Sequence, residues 1–369
     1  MRVKADSKLG RLPSYPSLRR FMQAQGWVRR ARRRARPTDG EERAEARIAA
    51  REVRSFEASH VHGLWHLDFH HGSRPVLTPS GEWKTPMALG VLDDRSRLAC
   101  HVQWYLAETA ENLVHAVCQA LQKRRLPRAL LTDNGAAMLA DETRSGLVRL
   151  GILHETTLPY SPYQNAKQEV WWAQLEGRLI AMVEGVADLT LAFLNEATQA
   201  WVEGEYNRRF HSELGMTPLE RLLAGPDAGR ACPGSDDLRL AFMTQELRTQ
   251  RRSDGTITLS GQRFELPSRY RHLPRVCLRY ASWDLARVHL VDPRTDSVLC
   301  RIYPLDKERN ADGRRRALPT PDAPAPEPRS GGVAPLLKKL MDDAAASGLP
   351  PAYLAKSETP RPPSKDSSR

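Results

Sequence analysis

Three carboxylates in this chain have the types and spacing to work on a phosphodiester: Asp68, Asp133 and Glu169. Asp68 lies in the apolar, strand-type run Gly63-Leu-Trp-His-Leu-Asp-Phe. Asp133 closes Ala129-Leu-Leu-Thr-Asp-Asn-Gly, where a buried-strand pattern breaks into a turn. Glu169 lies in Pro162-Tyr-Gln-Asn-Ala-Lys-Gln-Glu, at the start of a long helical pattern, with 35 residues between it and Asp133. Hard divalent cations take oxygen ligands, and Mg²⁺ is held by a few carboxylates with water and substrate phosphate. A pair of such ions clamps the attacking and leaving oxygens of an in-line displacement.

These acids need a sheet and a helix to bring them together. Strand patterns fall at about 63–70, 85–92 and 97–105, the last two joined by the turn-like Asp93-Asp94-Arg95-Ser96. A helix is predicted over 109–124 from Leu113, Val117, Ala120 and Leu121. Strand 128–132 delivers Asp133, and a short helix and a strand at about 152–157 follow. The next helix starts near Asn165, with an apolar stripe of Trp172, Leu175, Leu179 and Met182. Glu169 precedes Trp172 by three residues, so it shares roughly that face. A further helix spans about 189–210.

At these positions the chain resembles the retroviral-integrase-type catalytic core of DDE transposases. The resemblance covers about residues 59–225. It rests on the Trp-x-x-Asp strand, Leu92-Asp-Asp-Arg-Ser-Arg97, Thr132-Asp-Asn-Gly135, and Pro159-Tyr-Ser-Pro162 followed by Asn165 and Glu169. It implies an α/β fold: a ribonuclease-H-like mixed sheet with flanking helices, plus a small all-β C-terminal domain. It also implies Asp68, Asp133 and Glu169 as catalytic and metal-binding residues, Mg²⁺ as cofactor with Mn²⁺ able to substitute, and Asn165 and Lys167 near the DNA end. The partners it implies are double-stranded DNA at element ends and target, and further copies of the chain in a synaptic complex. It allows an accessory ATPase. The setting is bacterial, cytoplasmic and nucleoid-associated. One departure from the family's pattern is Ala166, where a glycine usually follows the asparagine.

Charge supports a polyanionic partner. Residues 1–38 carry twelve Lys/Arg against one acid, Asp6, within a chain of net charge +12. Neutralising phosphates releases condensed counterions, so such clustering favours nucleic acid. Within 13–27 a short helix is expected, capped by Ser14 and ended by Gly26, with Arg19 and Arg20 off its apolar face. It resembles the last helix of a helix-turn-helix, and Arg29, Arg30, Arg32, Arg33 and Arg34 follow as a basic arm. Only a dozen residues precede it, so a partial module is expected over 1–38.

A charged linker is expected at 39–58, the catalytic core with its helical extension at 59–225, and a β-barrel-like unit at 236–305. A Pro-rich, mostly disordered tail is expected at 306–369, with one short helix at Val333-Ala-Pro-Leu-Leu-Lys-Lys-Leu-Met. Residues 319–369 hold eleven of the 27 prolines, which argues against a packed core there. The five scattered cysteines supply neither a disulfide framework nor a Cys-rich zinc site. No run approaches the roughly 20 apolar residues that cross a bilayer.

Neighbours of the acids need weighing. His60, His62, His66, His70 and His71 crowd the first acid without a metal-binding motif. Asp93 and Asp94 read as turn formers, and Arg95, Ser96 and Arg97 as braces. Trp171 and Trp172 are adjacent, so one is expected in the core and the other at an interface or stacking on a base. The leading reading is a transposase or integrase working by two-metal phosphoryl transfer through a D,D(35)E triad. Alternatives are a nuclease of the same fold and a non-catalytic DNA-binding protein derived from a truncated transposase.

Overall fold

The computed structural model describes residues 15–25, 56–157, 166–307 and 332–346. The chain divides into two compact units, Met1–Val53 and Arg54–Arg369. In the first, helix α1 (Tyr15–Ala24) forms where the capping pattern predicts it. Arg20 and Phe21 on it are exposed.

The second unit begins with a mixed sheet. In chain order come β1 (Leu64–His71), a small hairpin β2 (Val76–Leu77) and β3 (Trp83–Lys84), β4 (Met87–Asp93), β5 (Ala99–Tyr105), helix α2 (Ala110–Arg124), β6 (Ala129–Thr132), α3 (Asp141–Arg149) and β7 (Leu153–Thr156). The strand order is β5-β4-β1-β6-β7. β1, β4 and β5 run antiparallel, and β6 and β7 run parallel to β1. This is the order that the ribonuclease-H-like resemblance implies. β4 and β5 are buried along almost their whole length, because helices cover both faces; hence their continuous apolar runs.

One face is covered by α2, whose N-cap Thr109 accepts from the Asn112 N–H. The other is covered by α4 (Ala166–Gln174), which continues into a π-helical stretch at Leu175–Ile180, and by α5 (Leu191–Gly204). Among the described residues the outer edge of β5 has no strand neighbour. Side chains from α5 and the turn after it take that place. Asn195 accepts from the Trp104 N–H at 2.7 Å and donates to the Trp104 carbonyl at 3.1 Å. Gln199 donates to the Val102 carbonyl. Asn207 accepts from Ala99 N–H and donates back to its carbonyl. A bare edge is thereby closed to other strands.

After α6 (Pro218–Ala224) and α7 (Ser235–Ala241) comes an antiparallel sheet of six strands: β8 (Thr244–Thr249), β9 (Thr256–Leu259), β10 (Gln262–Glu265), β11 (Arg275–Ala281), β12 (Asp284–Val291) and β13 (Val298–Pro304). Its order is β8-β11-β12-β13-β10-β9. β8 and β9 stand at opposite ends of that order but are joined by the Asp254-Gly255 turn, Gly255 having φ +66°. The sheet therefore curls around Ile257, Phe264, Leu278, Val288, Leu290 and Ile302. It docks on α3, where Gly146 leaves room for the Phe242 ring and Arg149 donates to the carbonyls of Ala241 and Met243. The expected short helix of the C-terminal region forms as α8 (Pro335–Ala346). It is built into the fold: Leu337 and Met341 are buried in one core with Trp201 of α5.

Asn195→Leu keeps the branched shape but leaves the buried Trp104 amide and carbonyl unpaired. At roughly 1–3 kcal/mol for each buried group stranded, urea unfolding should register a loss of about 2–4 kcal/mol. An unchanged midpoint would mean the β5 edge is held by other contacts.

Candidate active site

β1 and β6 pair with Leu64 beside Ala129, Trp65 beside Leu130 and His66 beside Leu131. Carried two residues further, that register sets Asp68 beside Asp133. The two acids thus sit at the same level of neighbouring parallel strands, where β6 ends and the chain turns. Asp133 shapes that turn by accepting from the Gly135 N–H at 2.9 Å. Asn134 donates to the Thr157 carbonyl at 3.0 Å, tying the turn to β7.

The electrostatics record the proximity. Burial lifts the Asp68 carboxyl to about 6, and the charge of Asp133 pushes the same way. Donors from Trp172 and the Phe69 backbone pull against them without reversing the outcome. Glu108 is a neighbour that the sequence did not announce. A Cβ built on Gly135 would meet Glu108 Oε1 at 2.9 Å and Asp133 Oδ1 at 3.1 Å. Gly135 therefore lets two carboxylates approach one point. The only sequence signal was that Glu108 directly precedes the cap of α2.

Helix α4 carries Glu169 in its first turn, with the side chain exposed. The helix is seated by Gly90, which pairs with Asp68 across β1 and β4. A Cβ on Gly90 would lie 2.7 Å from the Trp172 ring and 2.9 Å from Gln168 Nε2. Without one, the helix settles onto the sheet and Trp172 Nε1 donates to Asp68 Oδ2 at 3.3 Å. Trp171 packs edge-on against Trp172, centroids 4.6 Å apart. Both rings are buried, which corrects the expectation that one of the pair faces outward. The close seat at Gly90 is the reason, since it brings two successive residues of one helix within reach of the sheet.

Asp93 acts as a turn former, whereas the Asp94 carboxylate anchors side chains and backbone from outside the turn. Asp93 accepts from His62 N–H, Ser96 N–H and Ser96 Oγ. Asp94 is fully buried; although burial alone would raise it, bonds from His66, Lys167 and the Ala58 N–H hold its carboxyl at about 2. Lys167 donates to Asp94 and to the Phe56 carbonyl and lies 4.4 Å over the Phe56 ring. Its amine is thus engaged within the chain, at the base of α4. Arg95 braces Glu57 and the Ala58 carbonyl, and Arg97 reaches Glu213. These arginines secure the entry to the core rather than the acids. Asn165 and Arg29, Arg30, Arg32, Arg33 and Arg34 lie outside the described residues, as does the side chain of Arg19.

The histidines separate. His66 meets Asp94, His70 meets Glu176, and His60 meets Ser59. Among the described residues no group of three or more His, Cys, Asp or Glu could hold a metal ion. Asp68 and Asp133 are brought together; Glu169 sits on the helix that seats on Asp68 but is not gathered with them. The aspartate pair, two hard oxygen donors with mutual repulsion to relieve, fits one Mg²⁺-type ion completed by water and phosphate.

No family model matches the chain, and no curated protein does. Similar solved structures include the catalytic core domain of BIV integrase, at 24% identity and TM-score 0.34, covering 44% of this chain and 93% of that one. Another is the HTLV-2 integrase catalytic core domain in complex with magnesium, at 17% identity and TM-score 0.37, covering 45% and 99%. A third is the simian T-cell lymphotropic virus intasome in complex with PP2A regulatory subunit B56 gamma, at 14% and 0.40, covering 68% and 78%. No helix among the described residues is long and apolar enough to cross a membrane.

Asp68 gives a pH-dependent prediction. Its carboxyl titrates near 6 in the fold against 3.8 when free. Between these values the folded chain holds a proton that the unfolded chain has lost, so this residue's contribution to stability falls as pH rises through the window. Asp68→Asn should therefore stabilise the protein by about 1–3 kcal/mol at pH 7 in chelator. The gain should vanish near pH 4. Denaturant titrations at both pH values check this, and equal stabilities at pH 7 would contradict it.

Proposed function

We propose that this chain is a divalent-metal-dependent DNA strand-transferase of the transposase and integrase type. The observation that carries the reading is that Asp68 and Asp133 each lie two residues past the paired stretch of adjacent parallel strands, within electrostatic reach of one another and under the helix that bears Glu169. Asp68 and Asp133 would hold one Mg²⁺, with Mn²⁺ able to replace it. Glu169 would join when DNA and a second ion are bound. Bound ions would supply charge stabilisation to the attacking and leaving oxygens. The chain's own part is to hold the acids, exclude water beneath α4, and align a DNA end. No histidine needs to act as general base.

In this reading Arg19, Arg20, Arg29, Arg30, Arg32, Arg33 and Arg34 contact DNA phosphates. Asn165 and Lys167 approach the element end, Lys167 only by giving up Asp94. Element ends would be synapsed by several copies of the chain. The α8 segment is spent on α5, so nothing in it favours an ATPase docking peptide.

The test is strand transfer with a pre-cut 3′-OH end and Mg²⁺. Asp68→Asn, Asp133→Asn and Glu169→Gln should each cut the rate roughly a thousandfold, the equivalent of several kcal/mol of lost charge stabilisation. DNA binding should persist. Cleavage without joining would assign a nuclease instead, and full activity in any of the three variants would remove that acid from the mechanism.

The basic arm gives a second outcome. Replacing Arg29, Arg30, Arg32, Arg33 and Arg34 with Ala should flatten the dependence of log affinity on log salt. The slope should lose about 0.9 for each arginine that meets a phosphate. An unchanged slope would exclude the arm from the DNA contact.

A further inference from the structure

We propose that Trp172 is a positioning residue of the acidic site. Its indole N–H fixes the Asp68 carboxylate and ties it to the helix that carries Glu169. This rests on the metal-site reading of Asp68 given above.

Trp172 Nε1 donates to Asp68 Oδ2 at 3.3 Å. The ring that carries this donor is clamped on several sides. His70 stacks on it, centroids 4.9 Å apart and planes 16° from parallel. Trp171 meets it edge-on, and the Gly90 backbone lies against it. His70 is itself held, because its Nε2 bonds Glu176 Oε1 at 3.0 Å. Glu176 also accepts from the Ser73 N–H and Ser73 Oγ. Glu176 lies in the π-helical stretch that continues α4. Two contacts therefore run between the helix and β1: Glu176 to His70, and Trp172 to Asp68. His70 and Asp68 are two residues apart on one strand, so the contacts act on the same face.

The bond is not there merely to satisfy a buried indole. Among the described residues the indole nitrogens of Trp65, Trp171 and Trp201 are buried without a hydrogen-bond partner. This core tolerates such groups. The N–H of Trp172 instead points at the acid of the site. A donor to a metal-binding carboxylate orients it, and loss of such a partner typically costs 10–100-fold in metal affinity.

Trp172→Phe removes the N–H and keeps most of the ring. The full chain should fold with an unchanged far-UV spectrum, and Mn²⁺ alone should bind about tenfold more weakly. Strand transfer should need correspondingly more Mn²⁺ for half-maximal rate but recover at saturating metal. A spectroscopic readout is independent of activity and of the variant's folding. In ¹⁵N-labelled wild-type chain, the Trp172 indole N–H signal should shift on Mg²⁺ addition. That signal is assigned by its absence in Trp172→Phe, or by selective labelling if the variant does not fold. Asp68→Asn should abolish the shift. A Trp172 signal that ignores Mg²⁺, or a Phe variant with wild-type Mn²⁺ affinity, would overturn the positioning role. If Asp68→Asn leaves Mn²⁺ binding intact, the metal-site reading fails first. If Asp68→Asn abolishes binding and Trp172→Phe does not weaken it, only the role of Trp172 fails.

Discussion

The fold keeps an aspartate where its charge is unwelcome. Asp68 lies largely out of water, beside a second carboxylate, and its proton affinity rises accordingly. Nearby, Asp94 has no exposed surface and is yet strongly acidic, because three donors converge on it. The contrast separates two uses of a buried acid. Asp94 is compensated, so it serves the architecture. Asp68 is raised by burial and by a neighbouring carboxylate, and perturbations of that kind cluster at functional sites.

That placement depends on how close a helix can come to a sheet. Gly90 sits opposite Asp68 and leaves room for the ring of Trp172 and the amide of Gln168. Lys167 then pins the first turn of α4 to Asp94 and to the Phe56 carbonyl, and Glu176 pins the far end through His70 and Ser73. Glu169 lies between these anchors. Its helix is thereby fixed in position along the sheet, although its carboxylate is exposed. The same lysine joins the helix to residues 56–58, where the chain enters the core. The entry segment and the Glu169 helix therefore share one buried anion.

Much of this was legible in the sequence. β4 and β5 read as strands because both their faces are covered, and α2 was legible from the helical spacing of Leu113, Val117, Ala120 and Leu121. The aspartates were found by their flanking words. β8 was missed because Thr244-Gln-Glu-Leu-Arg-Thr has no apolar stripe; its ordering comes from pairing with β11 far along the chain. The docking of α8 was missed for a similar reason. Leu337 and Met341 are four apart and mark an apolar face, but the face's partner is α5, which only the tertiary fold supplies. The Trp172 bond to Asp68 was hidden too, because the distance is set by an absent side chain at Gly90.

Glu169 is exposed, whereas the Asp68 carboxyl is raised by burial and by the charge of Asp133. The Asp133 carboxylate already disfavours ionisation of the buried Asp68, and a further carboxylate brought beside it would do so more. Among the described residues, Lys167 is engaged by Asp94, and the arginines at 95 and 97 by Glu57 and Glu213. In the proposed reading, the attraction that gathers the three acids would come from bound ions. A divalent ion has the right sign and valence, and each one bound between carboxylates replaces their repulsion with two attractions. The protein supplies a sheet that fixes two acids and a helix that holds the third within its first turn. In that reading the free energy of closing the set would come from the ions and the DNA, and assembly of the site would be conditional on substrate.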